Sequence, residues 1–139
     1  MTTYILSLTY APKIPLVKSG ECTQTIRLHN PERPKKVGDK LILHTWEGKP
    51  YRTKWDWRLE TEISNLGLLK FPDVSKFSDT EFLRLWGHLG NLARLDGINP
   101  PDAETLMRAL GTLNNLNGLL EGTIWDIIRW PKPTIRRVE

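Results

Sequence analysis

The spacing of apolar residues changes period twice along this chain, and those changes restrict the fold more than any other feature. From Trp55 to Ile63, Trp55, Trp57, Leu59, Thr61 and Ile63 alternate with Asp56, Arg58, Glu60 and Glu62, the two-residue period of a strand with one covered face. From Phe82 onward, Leu85, Trp86, Leu89, Leu92 and Ala93 recur at three- and four-residue intervals, which places them on one side of a helix. Ser78-Asp79-Thr80-Glu81 stands ahead of that run as a capping box. The strand pattern returns from Thr123 to Trp130 and stops at Pro131 and Pro133. Strands, then helices, then a strand describe an α+β domain in which a curled sheet closes with its last strand beside earlier ones.

The remaining elements follow from local signals. Tyr4 to Thr9 reads as a first strand, and Pro12 to Lys18 as a short helix ended by Gly20. Thr23 to Leu28 is a second strand, with Thr23, Thr25 and Arg27 on one face and Gln24, Ile26 and Leu28 on the other. Asn30 to Lys36 is too rich in proline for a ladder, and Gly38-Asp39 turns the chain into a strand over Leu41 to Trp46. Glu47-Gly48-Lys49-Pro50 is a further turn. The first long helix is expected to end near Asp96-Gly97. Pro100-Pro101 opens a second, with Leu106, Met107, Leu110 and Leu113 as its stripe before the Asn114 to Gly118 turn cluster. Periodicity assigns Trp57 and Trp86 to the core. Trp125 and Trp130 fall on opposite faces of the last strand, so at most one of them is expected to point inward.

A chain of 139 residues is expected to form one domain over 1–139. Its 39% hydrophobic and 26% charged residues are those of a soluble globular protein, and no apolar run nears the roughly 20 residues needed to cross a bilayer. The first eight residues lack a basic region and a small-residue cleavage site, so a cytoplasmic location without membrane association is expected. One cysteine excludes an internal disulfide, and His29, His44 and His88 lack zinc-ligand spacing; no metal or cofactor is expected. A net charge of +4 favours a polyanionic partner. Phosphate-loop, dinucleotide, His-Glu-x-x-His and Ser-His-Asp signatures are missing from the sequence.

Two stretches suggest chemistry. An arginine flanked by hydroxyls, as in Thr23-Gln24-Thr25-Ile26-Arg27, suits an anion through its fixed fork of donors. Lys49, Tyr51, Arg52, Lys54, Trp55 and Arg58 interleave aromatic and basic residues in the manner of a single-stranded RNA surface.

Gly20-Glu21-Cys22-Thr23-Gln24-Thr25-Ile26-Arg27, followed by Gly38-Asp39, resembles the signature of the ASCH family of PUA-like domains, Gly-x-Lys-x-x-x-x-Arg and then a Gly-Asp turn. Gly20 and Arg27 fit, and Cys22 stands at the lysine position. Leu92-Ala93-Arg94-Leu95-Asp96-Gly97-Ile98 resembles the helix junction of archaeal and phage-type members, and Ile127-Ile128-Arg129-Trp130 their closing strand. The resemblance covers about residues 4–131 and leaves 132–139 as a tail. It implies a small β-barrel of about five to six strands, with a short N-terminal helix, a two-helix insertion before the last strand, and a cleft between barrel and helices. It also implies that an RNA or a nucleoside binds there, and together with the basic-aromatic stretch it gives Gly20, Cys22, Thr23, Thr25, Arg27, Lys54, Trp55 and Asp96 as the binding set.

Some members are amidohydrolases acting on an acetylated cytidine. The resemblance therefore carries an alternative, a hydrolase of a modified cytidine or of RNA, with Thr25 and Asp96 at matching positions and Cys22 in place of the lysine. Plainer readings stand beside these. Cys22 suits a small buried position at a turn, Thr25 a strand, and Asp96 the close of a helix. A protein partner on an exposed tryptophan face is the third reading.

Overall fold

The computed structural model describes residues 2–49, 52–72, 77–113, 120 and 122–132. These form an α+β unit of six strands in two sheets with three α-helices. In the first sheet β1 (Thr3–Ser7) runs parallel to β3 (Lys40–Trp46), and β3 pairs antiparallel with β4 (Trp55–Glu62). In the second, β6 (Ile124–Arg129) lies between β2 (Gln24–Leu28) and β5 (Asn65–Lys70), antiparallel to both. A 3-10 turn at Ala11–Lys13 and helix α1 (Ile14–Ser19) connect β1 to β2. Helices α2 (Asp79–Leu95) and α3 (Ala103–Leu113) lie between β5 and β6.

Local chemistry accounts for the boundaries. α1 ends at Gly20, whose φ of 84° lies in the left-handed region that costs a side-chain-bearing residue. At the start of α2 the Ser78 hydroxyl accepts from Glu81 N while Glu81 reaches back to Ser78 N, satisfying two otherwise orphan donors. Asp102 does the same for α3, accepting from Thr105 N at 2.7 Å.

The registers show how the layers stack. Ile26 and Ile127 oppose one another and face α2 and α3, where they join Leu89, Leu92, Ala93, Leu106, Leu110 and Trp125. Thr25 opposes Ile128 on the other face, which meets Tyr4, Val17, Leu41, Leu43 and Ile63. The β2-β6-β5 sheet is thus the middle layer, covered on both sides.

Several expectations change. Among the described residues the ladders form two separate three-stranded sheets in place of one curled sheet. Trp125 and Trp130 are both buried, at 0% and 3% exposure, because a middle strand has no solvent face. β5 escapes the sequence reading altogether. Phe82 and Trp86 are exposed and stack on each other, 5.5 Å between ring centroids, since the core meets α2 through Leu85, Leu89, Leu92 and Ala93. Trp57, by contrast, faces the core as its period predicts, half-buried against the Tyr4, Val17 and Leu43 cluster with Lys18 Nζ 5.8 Å from its ring centroid. The Asn114 to Gly118 cluster, Pro50, Tyr51 and the tail from residue 133 lie outside the described residues, as does the side chain of Leu113. No described helix is long and apolar enough to cross a membrane.

Candidate nucleic-acid interface

The left-handed turn at Gly20 reverses the chain so that Cys22 N donates to Leu16 O at 2.9 Å, which delivers Cys22 into the core. Its Sγ lies 3.4 Å from Gln24 O and 3.3 Å from Leu95 O. Burial pushes the thiol up from its ordinary value, and the nearby Lys13 ammonium only partly opposes this. A thiol held protonated is a poor nucleophile.

A lysine does enter this corner, from a different element. Lys13, at the end of the 3-10 turn, places Nζ 3.1 Å from Asp96 Oδ2, with both side chains buried. Gln24 Nε2 lies 3.5 Å from Asp96 Oδ1 and 3.4 Å from Leu92 O, so the pair is tied to β2 and α2. Burial raises the Asp96 carboxyl above the usual range, while Lys13, Gln24 and Arg27 pull it back. Gly97 follows in the left-handed region at φ 71°, and a Cβ there would meet Leu16 Cδ1 at 3.3 Å and Lys13 Cγ at 3.4 Å. Bare backbone at this point lets α2 close over the lysine.

Thr25 and Arg27 occupy the sheet-facing side of β2, an edge strand. Arg27 Nε donates to Thr25 Oγ1 at 3.2 Å, and its Nη2 reaches Ser7 O at 2.6 Å, joining the edge of one sheet to the end of β1 in the other. Its charge bears on Asp96 and on His44. Cys22, Asp96 and Arg27 therefore lie within electrostatic reach of one another, with Thr25 hydrogen-bonded to Arg27 and Gly20 two residues ahead of Cys22. Thr23 opens on a separate groove of about 330 Å³ with Glu21, Gln24, Arg94, Leu95 and Arg129, where Arg129 Nε donates to Gln24 Oε1 at 2.9 Å. A further cavity, about 510 Å³, is lined by Thr3, Lys40, Ile42, Glu60 and Glu62; its two carboxylates suit it poorly to a polyanion.

Lys54 and Trp55 belong to the first sheet, and Trp55 reaches that corner through His44, on which the Arg27 charge bears. A register shift after Thr45 pairs Trp46 with Trp55 and leaves Asp56 to accept from the Thr45 hydroxyl. The bulge brings Trp55 flat against His44, ring centroids 3.9 Å apart and planes within 14°. Trp46 meets the His44 ring edge-on at 5.0 Å, and Arg58 Cζ lies 5.9 Å from the Trp55 ring. His44 and Arg58 are register partners, on the face opposite Leu43 and Thr45. His44 is 3% exposed, its Nδ1 has no hydrogen-bond partner, and burial with the Arg27 charge holds the imidazole below its ordinary pKa. Trp55 remains 37% exposed above it.

Lys13 and His44 were not among the expected site residues. Lys13 sits in what reads as a helical turn, and nothing in its neighbourhood signals burial. His44 falls on the strand face opposite the apolar one, and only the bulge explains its cover. Among the described residues no group of three or more His, Cys, Asp or Glu side chains is placed to hold a metal ion. Set against protein-family models, curated proteins and solved structures, the chain matches none of them.

Proposed function

We propose that this chain is an RNA- or nucleotide-binding module of the ASCH type, a PUA-like unit that takes a base on the Trp55 face and a phosphate beside Arg27 and Thr25. The observation that carries this reading is the Arg58-Trp55-His44 stack. A half-exposed indole is backed by an imidazole below and flanked by a guanidinium, with exposed Lys49, Arg52 and Lys54 in the stretch of chain that leads into it. Such a surface binds bases through their π-faces and backbone phosphates through charge, with little sequence preference. The order of elements and the left-handed Gly20 turn leading to Arg27 are consistent with the family resemblance.

Titration of a short single-stranded RNA by tryptophan fluorescence at two salt concentrations tests it. Trp55→Ala is expected to weaken binding about tenfold, in line with the ~1–3 kcal/mol of one stacked base. Arg27→Ala is expected to weaken it and to lower the salt slope by about one phosphate's worth. Unchanged affinity and slope in both variants would remove the assignment.

A second reading, an amidohydrolase on a modified cytidine, is favoured by one observation. The lysine replaced by Cys22 in the signature has a spatial counterpart in Lys13, which contacts Asp96. Release of acetate from acetylated cytidine, abolished in Lys13→Met and retained in Cys22→Ala, is the expected result. No release by the unaltered chain leaves the binding module alone.

A further inference from the structure

The groove on which Thr23 opens is used by neither reading above. Its charged residues come from three elements: Glu21 from the turn before β2, Arg94 from the last turn of α2, and Arg129 from the end of β6. Arg129 is the best fixed of them. It lies in the middle strand, paired with Gln24 on one side and Asn65 on the other. Its Nε donates to Gln24 Oε1 at 2.9 Å, and Gln24, 2% exposed, is itself held through Nε2 by Leu92 O and Asp96 Oδ1. Polar contacts thus run from Lys13 through Asp96 and Gln24 to Arg129, which commits Nε to Gln24 and leaves the two Nη groups as a fork. The turn that carries Glu21 is anchored as well, with Glu21 N donating to Ser19 Oγ at 3.3 Å and Cys22 N to Leu16 O at 2.9 Å. Among the described residues, Glu21, Arg94 and Arg129 take part in no ion pair.

A carboxylate and two guanidiniums on one groove suit a ligand that offers both donors and acceptors, in contrast to a bare phosphate. Guanine presents two neighbouring donors, N1–H and the N2 amino group, on one edge and two neighbouring acceptors, O6 and N7, on another. The first pair matches the two oxygens of a carboxylate, and the second matches the fork of an arginine. Adenine, cytosine and uracil each carry a single donor nitrogen, which would leave one carboxylate oxygen without a partner. Leu95, 40% exposed, adds apolar surface for the face of a base. At about 330 Å³ the groove sits at the small end of ligand pockets and has room for one nucleotide.

We infer that this groove is a guanine-reading site, in which Glu21 accepts from N1–H and the N2 amino group, Arg129 donates to O6 and N7, and Arg94 meets the phosphate of the same nucleotide. The inference rests on the RNA-binding reading above. It adds to that reading a base selectivity that stacking on Trp55 does not supply.

The test titrates the full-length chain with a short oligouridylate and with copies in which one central uridine is replaced by guanosine, adenosine or inosine, at two salt concentrations. The guanosine copy is expected to bind about tenfold tighter than the all-uridine RNA, the size of one well-made bidentate base contact. That ratio should be the same at both salts, because phosphate contacts carry the salt dependence and base contacts the specificity. Inosine keeps O6, N7 and N1–H and lacks the amino group, so its copy should fall between the two. Glu21→Gln, which alters an exposed side chain, and Arg129→Lys, which keeps the charge and loses the fork, should each abolish the guanosine preference. Binding of the all-uridine RNA should persist in both, which also verifies that they are folded. Equal affinity for all four RNAs overturns the guanine site and leaves RNA binding standing. A guanosine preference that survives in either variant overturns it equally, and failure to bind any of the RNAs removes both.

Discussion

Lys13 Nζ stands 3.1 Å from Asp96 Oδ2, an ion pair almost removed from water that pins the turn after β1 to the end of α2. Desolvating two charges costs about as much as their attraction returns, so the pair adds little net stability, whereas losing one partner strands the other. Lys13→Met and Asp96→Leu are each expected to destabilise the fold by about 3–5 kcal/mol. The double variant should lose far less than the sum. Denaturant melts of all four proteins measure the coupling, and additive losses would show that the two charges do not act as a pair.

The glycines at the end of α2 and within it should respond with opposite signs. Gly97→Ala forces a Cβ into a left-handed position against Leu16 and Lys13 and is expected to cost about 1–2 kcal/mol. Gly87 and Gly90 lie in the helix with open space where a Cβ would stand, so alanine there should add about 0.5–1 kcal/mol each. Thermal melts check both.

His44 should make the fold acid-sensitive. Its folded pKa is depressed, first by burial and then by Arg27, so the unfolded chain takes up a proton that the folded chain refuses. Stability from this site is full above the ordinary histidine value of 6.5 and falls as pH drops below it, until the folded imidazole also titrates. The loss approaches about 1.4 kcal/mol per pH unit within that window. His44→Phe should flatten the slope relative to the unaltered chain, and parallel slopes from pH 7 to 5 would refute the assignment.

Cys22 is expected to resist thiol reagents in the native state and to react freely in denaturant, since it is 3% exposed and its thiol is held up by burial. A rate ratio of at least about 100 follows if reaction requires opening of the fold. Restoring the signature lysine by Cys22→Lys would set a second ammonium near Lys13 in the same buried corner. A loss of about 3 kcal/mol or more is expected, comparable to an unpaired buried charge.

Much of this architecture was legible because the elements obey simple periods. The alternation of β4, the Ser78-Glu81 cap and the Gly20 stop carry their own physical causes. β5 was not legible: Asn65-Leu66-Gly67-Leu68-Leu69-Lys70 has no β-branched residue, no alternation and a central glycine, and only the neighbouring β6 makes it a strand. The Trp125 and Trp130 expectation failed because alternation presumes one wet face, and layer number is a tertiary property. Of the site, the Arg27 and Thr25 juxtaposition follows from spacing alone. The Lys13-Asp96 contact joins distant elements, and the Trp55-His44 stack depends on a bulge, so neither could be read along the chain.

The order β2-β6-β5 has a kinetic consequence. β6, the last described strand to be synthesised, fills the centre of its sheet, and its pairing with β2 joins residues as far apart as Gln24 and Arg129, 105 positions along the chain. A nascent chain that ends before Ile124 offers β2 and β5 no shared partner, and the helices α2 and α3 no sheet to lie on. Such a topology has a high contact order and delays assembly of the middle layer until nearly the whole described chain has left the ribosome. Half of this protein is therefore expected to be no protein at all: removing the segment that carries β6 should abolish cooperative unfolding, leaving no smaller stable unit.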